Sequence, residues 1–315
     1  MITLRDALPL YVALRRALGT KLQEPARTLG DFVNFIEQER AAFITTELAL
    51  RWAMKPQGVQ RATWGRRLSM VRKFAAWLST IDSRTEVPPR RLLADRQRRK
   101  LPHIYTGREI EQLMAEAARL RSFSGLRPIT YKTLIGLLAS TGLRPQEALA
   151  LNRADVDLDS GVLAIRQTKF GKSRFVPIDN STRRALRRYA KQRDRLDRRR
   201  VTEAFLVSER GQRLTPSSTR KTFATLSRAI GLRPPATKNR SGRGPRLQDF
   251  RHCFATRRLI NWYRAGLDVE RELPKLATYL GHVDAVHTYW YIQAVPELLQ
   301  LAAHRLDGRR IGGER

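Results

Sequence analysis

The sequence has one cysteine, few acidic residues and no long apolar run. Cys253 is the single cysteine among 315 residues, so no intrachain disulfide can form and a reducing cytosol is the expected compartment. No run of about eighteen apolar residues occurs, so nothing is expected to span a bilayer. The first six residues include an aspartate and no apolar stretch, and no signal peptide is expected.

Acidic residues are scarce relative to basic ones. The chain has 61 Lys and Arg against 29 Asp and Glu, which gives a formal net charge of +32 at pH 7. Such a surface repels itself unless a polyanion is present, and nucleic acid is the commonest such partner. The basic residues run through both halves of the chain, which disfavours a membrane surface as the partner. Composition alone leaves a ribosomal or other nucleic-acid scaffold protein open.

Residues 1 to about 90 have the apolar spacing of a small helical bundle. Apolar residues including Tyr11, Leu14 and Leu18 recur at helical spacing near the N-terminus, and four short helices are expected in all. The fourth, from 60 to about 78, carries basic residues largely off its apolar face. We favour phosphate contact over an ordinary solvated face for these residues, which are Arg61, Arg66, Arg67, Arg72 and Lys73.

The periodicity is lost over 83–102, where proline pairs and a run of basic residues predict a linker, assigned to 91–102. A second domain is expected over 103–303, followed by a polar tail over 304–315 that is expected to fray.

The second domain has the pattern of a helical fold with a small sheet. Thr106 precedes Glu109 by three residues, a spacing that predicts a capping box at a helix start. The other expected elements are a buried helix at 131–140, a hairpin of strands 162–165 and 174–178, and helices at about 182–198, 216–230, 248–263 and 273–280. The predicted fold class is mainly α, with a four-helix N-terminal domain and an α+β domain that has a small antiparallel sheet.

Two arginines are candidates for binding a phosphate. Arg144 lies at a turn between two expected helices, and its planar guanidinium can donate two parallel bonds to a phosphate while Glu147 holds it in place. Arg251 lies in a later helix and can supply a second clamp, with His252 beside it as a structural hydrogen-bonding residue. In isolation, a surface arginine paired with a local acid is the simpler explanation of Arg144.

Two lysines and a tyrosine are candidates for the chemistry itself. Lys169 and Lys172 lie at the tip of the expected hairpin, from which a lysine can reach a leaving 5′-oxygen and protonate it. A solvated turn is the simpler explanation of both. Tyr291 follows His282 by nine residues (291 − 282) near the C-terminus. A tyrosine hydroxyl, with a pKa near 10, becomes a useful nucleophile when several cations hold a phosphodiester against it.

Together these segments resemble the tyrosine recombinase (phage integrase) family. The matching motifs are T-G-L-R-x-x-E ending at Glu147, G-K-x-R-x-V-P ending at Pro177, D-F-R-H ending at His252, and L-G-H at 280–282 followed by Tyr291. The resemblance covers the second domain, and the first is similar to the core-binding domain of these enzymes in layout. It implies a site-specific recombinase that cuts and rejoins double-stranded DNA in integration or transposition of a mobile element, with no metal, ATP or other cofactor.

The resemblance also implies a role for each matching residue. Arg144 and Arg251 would bind the scissile phosphate, and Lys169 would be the general acid. His282 would hydrogen-bond the phosphate or assist proton movement, and Tyr291 would attack to give a 3′-phosphotyrosine.

One position departs from the family pattern. Gln248 stands where the family commonly has histidine or lysine, so this position keeps a hydrogen-bonding role and loses an acid/base role. Glu147, Lys172 and His252 are candidate supporting residues, and Arg174 in the hairpin motif is a further candidate DNA contact.

The resemblance implies a homo-oligomer on DNA, a dimer at each site and a tetramer in synapsis, with helper recombinases as further partners in a bacterial cytosol, at the nucleoid. An amphipathic stretch from Pro296 to about Arg305 would dock on a neighbouring protomer, or pack in cis. Two alternatives stay open. One is a type IB topoisomerase, which shares the phosphotyrosine chemistry but relaxes supercoils as a monomer. The other is an architectural DNA-binding protein with a decayed site, for which Gln248 is the only hint.

Overall fold

The computed structural model describes residues 2–20, 22–93, 101–166, 173–197, 201–235 and 244–281. The chain divides into two compact units, 1–100 and 101–315, and each has its own hydrophobic core. Helices predominate in both units, and the described strands form one small antiparallel sheet. Within the described ranges, no helix is long and apolar enough to cross a membrane.

The first unit consists of the four helices that the apolar spacing predicts. They are α1 (Leu4–Ala17), α2 (Gln23–Gln38), α3 (Thr46–Met54) and α4 (Arg61–Leu78). Thr45 begins α3 as an N-cap, because its side chain accepts a hydrogen bond from the backbone N–H of Leu48. The rings of Phe32 and Trp52 meet edge to face at 5.0 Å in the core of this unit.

The apolar stripe expected on α1 is only partly correct. Leu14 and Leu18 are 44% and 68% exposed, and Leu18 lies just beyond the helix as its C-cap. The buried residues of α1 extend only from Leu4 to Val12, so the core covers the first turns of this helix and not the last.

Residues 83–93, over which the periodicity of the sequence is lost, pack against the four helices of the first unit. The carboxylate of Glu86 accepts a hydrogen bond from the backbone N–H of Thr46 at 2.7 Å. The guanidinium of Arg72 donates to the carbonyl oxygens of Pro88 at 2.7 Å and Pro89 at 2.8 Å. Arg72 therefore holds this segment against α4.

The second unit is built around α6, which packs against α5, α8 and α10. Its helices are α5 (Gly107–Ala118), α6 (Leu126–Thr141), α7 (Pro145–Ala150), α8 (Asn180–Leu196), α9 (Pro216–Ala229), α10 (Asp249–Arg264) and α11 (Val269–Leu280). Its strands are β1 (Val156–Asp157), β2 (Val162–Ile165) and β3 (Arg174–Pro177), in the order β1-β2-β3. Strands β2 and β3 form the expected antiparallel pair, with Leu163 opposite Val176 and both side chains fully buried.

The predicted start of α5 is confirmed, and that of α11 is not. Both hydrogen bonds of the capping box between Thr106 and Glu109 are present at the start of α5. In contrast, α11 begins four residues earlier than expected, because Asp268 caps it and Pro274 is accommodated inside the helix. The helix expected after Arg144 is α7, whereas the short strand β1 was not predicted, since two residues are too few to show a period.

Candidate active site

Arg144 lies where α6 ends and α7 begins. Gly142 closes α6 with a φ of +63°, and a Cβ built there would lie 2.6 Å from the Phe254 ring. Pro145 is the first residue of α7, a position where its missing N–H costs nothing. Arg144 is thereby fixed as the N-cap of α7, with 31% of its side chain exposed.

Glu147 is the buried carboxylate on which two arginines converge. It accepts hydrogen bonds from the backbone N–H of Arg144 at 3.0 Å and from Nη1 of Arg144 at 2.7 Å, the contact expected from the sequence. It also accepts from Nη1 and Nη2 of Arg174 at 3.1 and 2.8 Å. Burial raises the pKa of Glu147, but the bonds and charge of Arg174, followed by those of Arg144, outweigh it, so the pKa is lowered. The carboxylate is therefore ionised and bridges the two guanidinium groups.

Arg174 is an internal ion-pair residue, and the prediction that it contacts DNA is not supported. Only 11% of its side chain is exposed. Besides its two bonds to Glu147, its Nε donates to the carbonyl oxygen of Tyr279 at 2.8 Å. A guanidinium this buried needs partners inside the protein, and Arg174, the first residue of β3, finds them in Glu147 and the Tyr279 carbonyl.

The C-terminal end of α11 brings the arginines of three separate motifs together. The carbonyl of Tyr279 accepts from Arg174, and that of Leu280 accepts from Nη2 of Arg251 at 2.5 Å. The next carbonyl, that of Gly281, accepts from Nη2 of Arg144 at 3.3 Å. The last carbonyls of a helix lack intrahelical partners and form the negative end of its dipole, which explains why cations gather there.

Arg251 is enclosed by the protein. It is 1% exposed, and its Nη1 donates to the carbonyl of Gly142 at 3.1 Å. Through these bonds Arg251 ties the end of α6 to the end of α11. The predicted phosphate-binding pair therefore consists of one partly exposed arginine, Arg144, and one enclosed arginine, Arg251.

Gly281 is required by its surroundings as well as by its backbone. It ends α11 with a φ of +69°, and a Cβ there would lie 2.8 Å from Nη1 of Arg174. The glycine of the L-G-H motif thus lets the arginine pack against the backbone just before His282. His282, Tyr291, Lys169 and Lys172 lie outside the described residues.

A basic groove begins at Arg144 and runs along α9. Its volume is about 800 Å³, and Gln248, which immediately precedes α10, lines it together with Arg144. The described residues that line it include no carboxylate, and its other cations are Arg220, Lys221, Arg228, Arg233 and Arg246. Sequence reasoning missed these residues, although Lys221 and Arg228 are seven positions apart and so share a helix face.

Comparison with known proteins assigns the chain to a family. Residues 104–297 match the phage integrase family. The chain belongs to this family. It is 45% identical over 313 residues to "Putative integrase/recombinase y4rB" of Sinorhizobium fredii, covering 98% of each protein. It is 32% identical over 246 residues to the tyrosine recombinase XerD of Caulobacter vibrioides, covering 77% of this chain and 74% of that protein.

A solved structure shows the same fold. The Tn1549 transposon integrase in complex with transposon right end DNA matches with a TM-score of 0.65 at 18% identity, covering 97% of this chain and 100% of that one. The predicted family and fold class, a mainly helical tyrosine recombinase fold with a small antiparallel sheet, are confirmed.

His252 in this integrase-family chain has the environment of a structural residue. Burial, ahead of the nearby charges, lowers its pKa from 6.5 to about 4. The ring is therefore neutral at physiological pH and cannot contribute a charge to phosphate binding. Throughout the described part of the chain, His252 included, no group of three or more His, Cys, Asp or Glu residues could hold a metal ion.

The basic residues predicted on α4 of this integrase-family chain separate into two groups. Arg67 stacks on the Trp52 ring, 3.7 Å from its centroid, and Arg72 holds residues 88–89, so both have roles inside the unit. Arg61, Arg66 and Lys73 are exposed. DNA contact by all five residues stays a prediction.

Proposed function

We propose that this protein is a site-specific DNA recombinase that cuts and rejoins strands through a 3′-phosphotyrosine, in integration or transposition of a mobile element. The observation that carries the proposal is the convergence of Arg144 and Arg251 on two adjacent carbonyls, those of Gly281 and Leu280. Two guanidinium groups so placed, directly before His282, provide positive charge where a phosphodiester would develop negative charge in its transition state.

The proposed reaction exchanges one oxygen for another on phosphorus. The phenolic oxygen of Tyr291 attacks the scissile phosphate, its proton leaves with help from His282, and the bond to the 5′-oxygen breaks. Lys169, with Lys172 as the rival, protonates that leaving oxygen. The 5′-hydroxyl of a second strand then attacks the phosphotyrosine and releases the tyrosine. The phosphodiester energy is kept in the covalent intermediate, so the exchange needs no ATP.

Arg144 and Gln248 are the proposed direct contacts to the phosphate, because both line the open groove. Arg251, which is enclosed, would attract the phosphate through its charge without a direct contact, and solvent screens such a buried charge poorly. The amide of Gln248 can donate a hydrogen bond to a phosphate oxygen but cannot carry a proton away.

A suicide DNA substrate tests the covalent step. A duplex selected from a random-sequence pool by its binding to the protein, then nicked near the site, should yield an adduct that resists denaturation. Tyr291→Phe should abolish the adduct, and the matched control Tyr289→Phe should retain it. An adduct that persists without the Tyr291 hydroxyl would disprove its role as nucleophile.

Two other results, one in this assay and one in a plasmid relaxation assay, would replace the proposal. A DNA mobility shift with no adduct would indicate an architectural protein. Plasmid relaxation by monomers, without synapsis, would indicate a type IB topoisomerase.

The basic groove along α9 is proposed to carry the DNA backbone away from the scissile phosphate. A plot of the logarithm of the DNA-binding constant against the logarithm of salt concentration has a negative slope, and each lost phosphate contact should make it shallower by about 0.9. Arg220→Ala and Lys221→Ala should each show this reduction. Arg119→Ala, which removes a 75% exposed arginine paired with Glu116 outside the groove, should not. Equal slopes for all three variants would exclude the groove as a DNA contact.

The assembly is proposed from the mechanism and from the Tn1549 integrase structure, which contains transposon DNA. Strand exchange needs two DNA sites, so a dimer on each site and a tetramer in synapsis are expected, with the 296–305 stretch docked in trans. The first unit would act as a core-binding DNA domain. Helper recombinases are proposed as further partners, and the bacterial nucleoid as the site of action. Sedimentation on duplexes with one and two sites would test the stoichiometry.

A further inference from the structure

We infer that Arg174 is a positioning residue for DNA cleavage, which holds Glu147 and the end of α11 so that Arg144 keeps its charge available for the phosphate. This inference rests on the proposed function. It assigns to the hairpin arginine a task different from the DNA contact that its sequence motif predicts.

The contacts show that Arg174 is the principal partner of Glu147. Each of its Nη atoms bonds a different carboxylate oxygen, at 3.1 and 2.8 Å, whereas the side chain of Arg144 makes one bond, at 2.7 Å. The Arg174 pair is also the better shielded, with side-chain exposures of 11% and 6% against 31% for Arg144. A bidentate pair of this kind is stronger and more rigid than a single bond.

Charge explains why this matters for the phosphate. Glu147, Arg144 and Arg174 together contain two cations and one carboxylate, which leaves one positive charge in excess. Without Arg174, the carboxylate would face Arg144 with both oxygens, and the pair would be neutral. A guanidinium neutralised in this way attracts a phosphate far less than one whose counter-ion is already occupied.

Arg174 also connects the elements that carry the other candidate groups. It is the first residue of β3, five positions (174 − 169) after Lys169, and it pairs with Ile165 across the sheet. Its bond to the Tyr279 carbonyl and its packing against Gly281 fix the end of α11 just before His282. One side chain thus links the hairpin strand, the first turn of α7 and the L-G-H motif.

The experiment separates cleavage from binding in the full-length protein. Arg174→Gln and Arg174→Lys are compared on the selected, nicked duplex for affinity and for the single-turnover rate of adduct formation at saturating protein. Arg166→Gln is the matched control, because Arg166 directly follows the neighbouring strand β2, is 67% exposed and pairs with Asp155 at 2.6 Å.

We expect Arg174→Gln to slow adduct formation about 10- to 100-fold while its affinity changes no more than that of Arg166→Gln. Arg174→Lys should recover part of the rate, since a lysine can bond one oxygen but not both. In a Glu147→Gln background the substitution should cost much less, because the two residues act together. If Arg174→Gln does not fold, Arg174→Lys measured with and without Glu147→Gln gives the same comparison.

Two results would overturn the inference while leaving the proposed function intact. In one, Arg174→Gln weakens binding but cleaves bound DNA at the wild-type rate, which would make Arg174 a DNA contact. In the other, its effect is the same with and without Glu147→Gln, which would make its role independent of the carboxylate. A wild-type protein that forms no adduct would overturn the proposed function and this inference with it.

Discussion

Substitution of Gly142 by alanine should destabilise the second unit more than a backbone argument alone predicts. At a φ of +63° the left-handed conformation costs an alanine roughly 1–2 kcal/mol. The new Cβ would also lie 2.6 Å from a ring carbon of Phe254, about 1 Å inside the ~3.5 Å at which carbon atoms make favourable contact. Phe254 is 7% exposed and stacks on Tyr279 at 5.5 Å, so it cannot move away freely. Such overpacking adds about 1–3 kcal/mol.

Gly231→Ala is the matched control for this prediction. Gly231 has a φ of +77°, and a Cβ there meets no atom of the described residues within 4 Å, so this variant should show the backbone cost alone. Hydrogen exchange measured by mass spectrometry across a urea series, on peptides from α6 and α10, reports the stability of the second unit directly. Gly142→Ala should lose protection at a clearly lower urea concentration than Gly231→Ala. Equal midpoints would refute the steric argument.

Three further predictions concern a cap, a cation and a histidine. Thr106→Ala removes one half of the capping box and should cost about 1 kcal/mol in thermal unfolding. Arg67→Ala should cost about 1 kcal/mol or more by removing the contact with the Trp52 ring, whereas Arg66→Ala, in an exposed ion pair, should cost less than ~0.5 kcal/mol. Because the pKa of His252 is lowered from 6.5 to about 4, the unfolded chain takes up that proton first, and stability falls as the pH drops through this range. His252→Gln should flatten that part of a plot of unfolding midpoint against pH, and an unchanged slope would contradict the shift.

Much of the fold could be predicted because its signals are local. The limits of α3 and α4 follow from apolar spacing and from the cap at Thr45. The contact between Arg144 and Glu147 is equally local, since the two residues are three positions apart at a helix start. The order of the four motifs then indicated which family and fold to expect.

What escaped prediction depends on contacts between residues that are distant in the sequence. Nothing near Arg174 shows that its partners lie 27 residues earlier and 105 residues later, so its basic surroundings favoured a DNA contact. The hold of Arg72 on the segment after α4 was not predicted for a similar reason, because backbone carbonyls 16 and 17 residues away are its partners. Side-chain identity gives no information about a carbonyl acceptor, since every residue has one.

The arrangement of arginines at the end of α11 makes this cluster of cations depend on complete folding of the second unit. Strand β3, the N-cap of α7 and helix α10 each contribute one guanidinium to that end, so this cluster of cations forms only after three remote parts of the chain have assembled. A nascent or partly unfolded molecule would lack this cluster of cations, and under the proposed function it could not cleave DNA. Under the proposed function, complete folding of the second unit is therefore a precondition for breaking a DNA strand.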